Sequence, residues 1–422
     1  MLDALRNAMR IPDLRRKIIY TAALLAVYRI GSFIPVPGVN AAALAQELGI
    51  DGGNIFGFLN LFTGGALARF TVFALGVSPY ITASIVLNLL TIVIPKLEEL
   101  SKEGPEGRKI ISQYTRYATV VLAFVQAFAT TMMARAWGVT TMPTFFGLAL
   151  IMITLVAGTS FLMWLGEKIT EKGIGNGISL LIFLGIIAEL PTSVVNSVRA
   201  VGEGGVSVIS LIAYLIITVG VIAAVVMVTQ GQRRVPVQYA KRVVGRKVYG
   251  GQSTHIPLKV NQAGVIPVIF ASSVLTFPLT LTQFVPALDF LNKWLGYGSF
   301  GYNVIFVILI VFFTYFYTAV TFNPIEVANN MKKNGGYIPG LRPGRPTAEF
   351  LDRVLTRITL PGAIFLAVIA VLPSLVAIIT RVPTNLLYFG GTGLLIMVGV
   401  ALETMQQIEA HLLMRHYEGF LK

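Results

Sequence analysis

The 422-residue chain contains no cysteine, only 3 histidines and just 19 Asp and Glu, and charged residues make up 12% of it. The lack of cysteine excludes a disulfide framework and thiolate ligands for a metal. His255, His411 and His416 fall in a loop and in the C-terminal tail. No intramembrane base therefore stands ready to activate serines such as Ser78 or Ser160. Neither a GxxxxGKS/T phosphate loop nor an HExxH helix occurs. Together these absences point away from an enzyme and from any resident metal or cofactor.

What is there is apolar. Hydrophobic residues reach 55% and the mean hydropathy is +0.76, which places the chain among polytopic membrane proteins. Apolar windows near the span length of about 20 residues that a bilayer core demands fall at 18–34, 70–94, 117–136, 145–166, 176–190, 207–229, 264–285, 303–322, 358–380 and 385–404. These predict ten transmembrane helices, the fifth of them short. The basic start RIPDLRRK (10–17) runs into the first window with no small-residue cleavage site, so that window reads as a retained span. Just ahead of the second window, NIFGFLNLFTGG (54–65) is helix-like but about half of a span and ends in two glycines.

The formal net charge is +14, with 33 Lys and Arg. Numbering the gaps alternately leaves only Arg135, Arg199, Lys293 and Arg381 on one side, with Arg29 and Arg69 in or beside spans, and every other Lys and Arg on the opposite side. The positive-inside rule makes that side, and both termini, cytoplasmic. Ten spans with a long basic loop after the sixth divide into two five-span halves, and an odd number per half requires them to be inverted. The expected segments are a cytoplasmic 1–17, a first half 18–190, a second half 191–404 and a cytoplasmic tail 405–422.

Two long cytoplasmic loops, 231–262 and 323–357, are basic and rich in Gly and Pro. Two readings are open for them: orientation with attraction to anionic lipids, and docking of a large acidic or phosphate-bearing partner, since Tyr239, Tyr249 and Tyr337 interleave with the charge. Arg342 in IPGLRPG stands between turn formers that hold a guanidinium outward. Within the spans, Glu189, Asp289, Glu326 and Glu403 fall at or near ends, and Arg29 near the outer end of the first is expected to snorkel. The middles carry mild polarity, with Thr82, Ser84 and Asn88 in the second span, Gln126 in the third and Ser272, Ser273 and Thr276 in the seventh. These serve either helix-to-helix hydrogen bonds or a wet seam. A polypeptide-conducting channel and a small-solute secondary transporter with inverted repeats both fit this frame, and the absence of midplane carboxylates favours the channel.

A run of motifs then covers essentially the whole chain in order. It comprises RIGSFIPVPG (29–38), ALGVSPYITASIVLNLL (74–90), GPEGRKIISQYTRY (104–117), FLMWLGEKITEKGIGNGIS (161–179), QRRVPVQYAKR (232–242), VNQAGVIPVIFASS (260–273), NPIEVANNMKKNGGYIPGLRPG (323–344) and YFGGTGLLI (388–396). With these motifs the chain strongly resembles the bacterial SecY family, the central subunit of the general secretion channel. The resemblance implies an all-α, two-halved bundle with a re-entrant plug helix at 54–67, carried by Phe58, Leu59, Leu61, Phe62, Gly64 and Gly65. It implies a pore ring of Val77, Ile81, Ile178, Ile182, Ile269 and Ile396, with Val77 standing where isoleucine is common. It implies a lateral gate facing Thr82, Gln126 and Phe277, and docking of the ribosome and the SecA motor ATPase at Arg246, Lys247 and Arg342. The implied partners are SecE and SecG subunits and secretory and membrane-protein precursor chains, in the bacterial inner membrane.

Overall fold

The computed structural model describes residues 8–48, 55–202, 207–239, 242–244, 247–249, 253–282, 294–296, 299–380 and 391–419. Arg6, Lys241, Arg246, Asp289, Lys293 and Arg381 lie outside the described residues, as do the side chains of Phe58, Lys247 and Phe277. The chain is mostly helical, and each of the ten apolar windows falls on a helix in whole or in part. In order these are α1 (Pro12–Gly31), the short α2 (Ala41–Glu47) and α3 (Ile55–Thr63), then α4 (Ser78–Val93), α5 (Pro95–Lys102), α6 (Pro105–Ala136), α7 (Phe145–Lys172), α8 (Gly177–Gly202) and α9 (Val208–Gln230). After the first cytoplasmic loop come α10 (Ile266–Thr282), α11 (Phe300–Thr321), α12 (Pro324–Lys333), α13 (Arg345–Thr380) and α14 (Gly391–Gly419).

Local chemistry sets many of the starts. Thr144, Ser207, Ser299 and Asn323 each accept from a backbone N–H in the first turn of α7, α9, α11 and α12, pairing donors that the helix itself leaves open. Proline opens α1, α4, α5, α6 and α12, where its missing N–H loses nothing. Among the described residues, 6 helical stretches are long and apolar enough to cross a membrane, and the pair α4–α5, bent by 100°, makes a seventh. α1 fails that test because Asp13, Arg15, Arg16 and Lys17 crowd its first turns. α6 has 32 residues, roughly 48 Å at 1.5 Å per residue, so its charged N-terminal turns project beyond a bilayer core of about 30 Å.

Three expectations change here. The second window, 70–94, is helical only from Ser78, because residues 64–77 form consecutive turns in which Phe70 takes a φ of 42°. The fifth helix is not short: it runs 26 residues, straight through Pro191. Proline removes one ladder donor but does not end a helix whose neighbours hold it, and here the Ser193 hydroxyl donates to the Glu189 carbonyl at 2.9 Å. Glu189 therefore sits inside α8 rather than at a span end, and the 190/191 boundary between halves falls within a continuous helix.

The halves meet where α4 packs on α10 and where α8 and α10 both pack on α14. One large apolar cluster spans this junction and includes Val77, Ile81, Ile182, Ile269, Leu395 and Phe306. A second joins Leu44, Phe70, Ile151 and Leu155 around the return of the turn segment. The loop between α7 and α8 is hooked to α1 and to α14. The Ile174 N–H donates to Thr21 Oγ1 at 3.0 Å, and the Gly175 N–H to Gln407 Oε1 of α14 at 2.9 Å.

The two basic loops form one small domain. β1 (Gln232–Tyr239) pairs antiparallel with β4 (Ser253–Lys259) on one side and with β5 (Gly336–Tyr337) on the other. β2 (Arg242–Val244) and β3 (Lys247–Tyr249) form a separate hairpin. Alternation along β1 turns Val235 and Val237 inward onto Leu258, Met331, Ile338, Leu351 and Val354. Leu258 is fully buried there. Leu258→Ala should cost this domain about 2–5 kcal/mol. The expected result is faster tryptic cleavage within 231–262 and 323–357 while the membrane helices stay protected.

Candidate functional site

The turn segment after α3 is built from its own side chains. Buried Asn60 accepts the Ala68 N–H at 2.8 Å on Oδ1, and its carbonyl takes the Gly65 N–H at 3.1 Å. Thr63 Oγ1 donates to that same carbonyl and accepts from the Leu67 N–H. Gly64 and Gly65 adopt φ of 63° and 81°, the left-handed region that glycine enters without a Cβ penalty. The return strand is tied at its far end, where the Val36 N–H donates to Phe70 O and the Val72 N–H to Ile34 O, both at 3.0 Å.

Groups from α1 and α8 close around this turn. The Tyr28 hydroxyl donates to Thr63 O at 3.1 Å and Arg29 Nη1 to Gly64 O at 3.0 Å. Arg29 thus points inward onto backbone instead of snorkelling. The Arg29 and Arg69 guanidiniums lie 4.7 Å and 4.6 Å from the centroid of the Phe33 ring. Arg69 also faces the buried Glu189 at 3.8 Å. At that length, with Arg69 partly exposed, the pair adds little as a direct bond, but it gives the Glu189 carboxylate an opposite charge.

Beside the turn lies a cavity of about 140 Å³. Leu59 and Phe62 of α3, Val77, Ile81, Ile182 and Ile269, and Thr82, Gln126, Ser272, Ser273 and Thr276 all line it. Residues of the half-helix and of α4, α6, α8 and α10, which supply four aliphatics and a polar seam, therefore meet at one void. Ile396 is fully buried, and with half-buried Ile178 it belongs to the same apolar cluster without reaching the cavity. Leu61 is buried in that cluster as well. The seam hydroxyls bond neither across helices nor to one another. Thr82 donates to Ser78 O, Ser272 and Ser273 to Ile269 O, and Thr276 to Ser272 O, each within its own helix.

On the small domain of the two basic loops, Arg342 is exposed between β5 and α13. Gly340 and Gly344 flank it at φ of 84° and 107°, and Thr347 Oγ1 holds the Arg342 carbonyl at 2.9 Å. Lys247 opens β3, opposite Val244.

The SecY family model matches residues 71–405. The chain belongs to the SecY family. Among relatives of this SecY-family chain, the Protein translocase subunit SecY of Mycobacterium bovis is 49% identical over 446 residues, with 100% of both chains covered. That of Halalkalibacterium halodurans is 47% identical over 435 residues, again with 100% of both covered. A solved structure described as "The structure of a protein conducting channel" superposes with a TM-score of 0.65 at 20% identity, covering 93% of this chain and 91% of that one. Sec61 in the canine ribosome-channel complex superposes at 0.61 with 19% identity, covering 93% and 91%. At such identities the likeness carries the SecY fold alone.

Sequence reading missed Tyr28, Asn60, Gly185 and Glu189 as parts of this SecY-family site. An acid and two arginines inside or beside apolar windows were the available signal, since ionisable groups at such depth are costly and seldom idle. Asn60→Ala should leave the Ala68 N–H unpaired, at a cost of about 1–3 kcal/mol. Amide exchange over residues 64–71 is expected to quicken while that of α7 stays unchanged.

Proposed function

We propose that this chain is the pore-forming subunit of a general secretory translocon, conducting unfolded polypeptides across the membrane and releasing apolar segments sideways into lipid. The observation that carries the reading is the shared cavity. A half-helix, an aliphatic cluster and a seam of self-satisfied hydroxyls converge on it. In this reading Phe58, Leu59, Leu61, Phe62, Gly64 and Gly65 belong to a plug, and Val77, Ile81, Ile178, Ile182, Ile269 and Ile396 form a pore ring. An apolar constriction excludes water and ions yet makes no sequence-specific bonds to a chain passing through it. Thr82, Gln126 and Phe277 face a lateral gate between α4 and α6 on one side and α10 and α11 on the other. The packing of α4 on α10 corresponds to that gate closed.

The relatives named as a translocase subunit support a channel assembled from several subunits, and the ribosome-bound Sec61 supports a ribosome partner. In this reading the ribosome and the SecA motor dock at Arg246, Lys247 and Arg342 of the basic domain, with SecE and SecG as accompanying subunits. The energy of movement then comes from the partner or from chain synthesis, and the chain itself performs no covalent chemistry. The charge asymmetry supports cytoplasmic termini in the inner membrane of a bacterium, with anionic lipid at the basic face.

Replacing the six ring positions with serine should wet the constriction and raise resting ion conductance across planar bilayers holding the purified complex. Equal tightness of the serine variant and the parent at matched protein density overturns the ring. A solute transporter would instead lose uptake without gaining a leak. Arg342→Glu should abolish partner-dependent export while the variant accumulates at normal abundance, because an exposed rim charge governs docking. Full export through that variant would refute the docking assignment.

A further inference from the structure

Two glycines on different elements touch backbone to backbone at the turn that ends α3. A Cβ added at Gly64 would lie 2.9 Å from the Gly185 Cα, and one added at Gly185 would lie 2.7 Å from the Phe62 carbonyl oxygen and 3.2 Å from the Gly64 nitrogen. The 2.9 Å and 2.7 Å distances are below what real Cβ atoms tolerate, and the obstructing atoms are backbone, which cannot swing aside. One helical turn along α8, the Glu189 carboxylate occupies the space that a side chain at Gly65 would need. Residues 185 and 189 share one helix face by their spacing of four. From the other side, Tyr28 and Arg29 of α1 take the carbonyls of Thr63 and Gly64. A Cβ added at Gly393 of α14 would lie 3.4 Å from Leu61 Cδ2, an ordinary contact.

We propose that Gly185 and Glu189 of α8, with Tyr28 and Arg29 of α1, form a seat that holds the plug turn closed and sets how readily it leaves. This rests on the plug reading above. They are positioning residues, acting on the turn and never on a passing chain. The seat captures the turn at its only two consecutive left-handed glycines, so its fit depends on shape at one spot rather than on apolar area along the whole half-helix. Charge contributes through Arg29, whose bond to a carbonyl is of the stronger, charge-assisted kind. A plug held this way releases when a few directional contacts break together, and returns to a single register because only Gly64 fits against Gly185.

The absence of native cysteine makes the test direct. A Leu61→Cys reporter in the full chain, purified with its partner subunits in proteoliposomes, is labelled with a membrane-impermeant maleimide. Tyr28→Phe and Arg29→Gln are each expected to speed labelling about tenfold or more, the factor that one lost hydrogen bond of this kind carries, and Gly185→Ala to speed it at least as much because its added Cβ meets the Phe62 carbonyl. Gly220→Ala on α9, where an added Cβ meets nothing within 4 Å, should leave it unchanged. Alanine is the better helix former, so an unchanged or raised Tm in Gly185→Ala together with faster labelling separates loss of the seat from damage to the helix. If Gly185→Ala fails to accumulate, Tyr28→Phe, which removes one hydroxyl, carries the same comparison. Labelling at the parent rate in Tyr28→Phe and Arg29→Gln overturns the seat, provided that deletion of residues 57–65 still makes the membrane leak. A deletion variant that stays tight overturns the plug reading itself, and the seat with it.

Discussion

Everything around the cavity depends on satisfying backbone that is neither helix nor strand at the depth of the bilayer. Between Thr63 and Ser78 the chain runs through consecutive turns, where lipid offers no partner for an open N–H or C=O, each costing several kcal/mol if left bare. The protein meets this demand in two layers. The inner layer is self-bonding: Asn60 and Thr63 take the N–H donors of residues 65–68 on side chains and carbonyls, and Thr71 donates both its hydroxyl and its N–H to the Ala66 carbonyl. The outer layer is Tyr28 and Arg29, which supply donors to the carbonyls of Thr63 and Gly64. Only once both are in place can the half-helix lie with Leu61 in the central apolar cluster and Leu59 in the outer one.

The contrast with the seam between α4 and α10 follows from the same bookkeeping. There each hydroxyl is satisfied inside its own helix, so parting the two helices breaks packing but leaves no buried donor stranded. Packing loss scales with the area opened, and a lipid tail or an apolar peptide can refill that area at little net cost. The turn segment is thus held by directional bonds to neighbouring elements and the seam by contact alone, a division suited to one part that must stay registered and another that must part for varied guests.

Much of this was legible in the sequence where the signal is local. The double glycine after NIFGFLNLFT announced a left-handed turn, and both residues take it; the glycines framing Arg342 did the same for an exposed tip. Errors arose where a local rule met tertiary support. The fifth window ends at residue 190, where apolar patterning fades, yet the helix runs on through Pro191 to Gly202. Arg29 read as a snorkelling residue because its partner is a carbonyl of a segment 35 residues away, and no periodicity encodes a carbonyl's direction. Of the two readings open for the seam hydroxyls, helix-to-helix bonding gives way because i−3 and i−4 carbonyls of the same helix take the donors of Thr82, Ser272, Ser273 and Thr276. Pairing of β1 with β5 joins loops roughly a hundred positions apart, and register across that distance is set by the shared core of Val237, Leu258 and Leu351.

That last pairing makes the two basic loops a single unit. β1 follows α9 after Gly231, β4 leads towards α10, and β5 lies between α12 and α13, so four membrane helices hang from one three-stranded sheet. The exposed tip at Arg342 is thus joined by backbone pairing, through β5, β1 and β4, to α10, which is one wall of the seam. The Gly175 N–H on Gln407 ties the α7–α8 loop to α14 at a separate point. Tip and seam wall belong to one continuous run of paired backbone, although they lie on different loops of the chain.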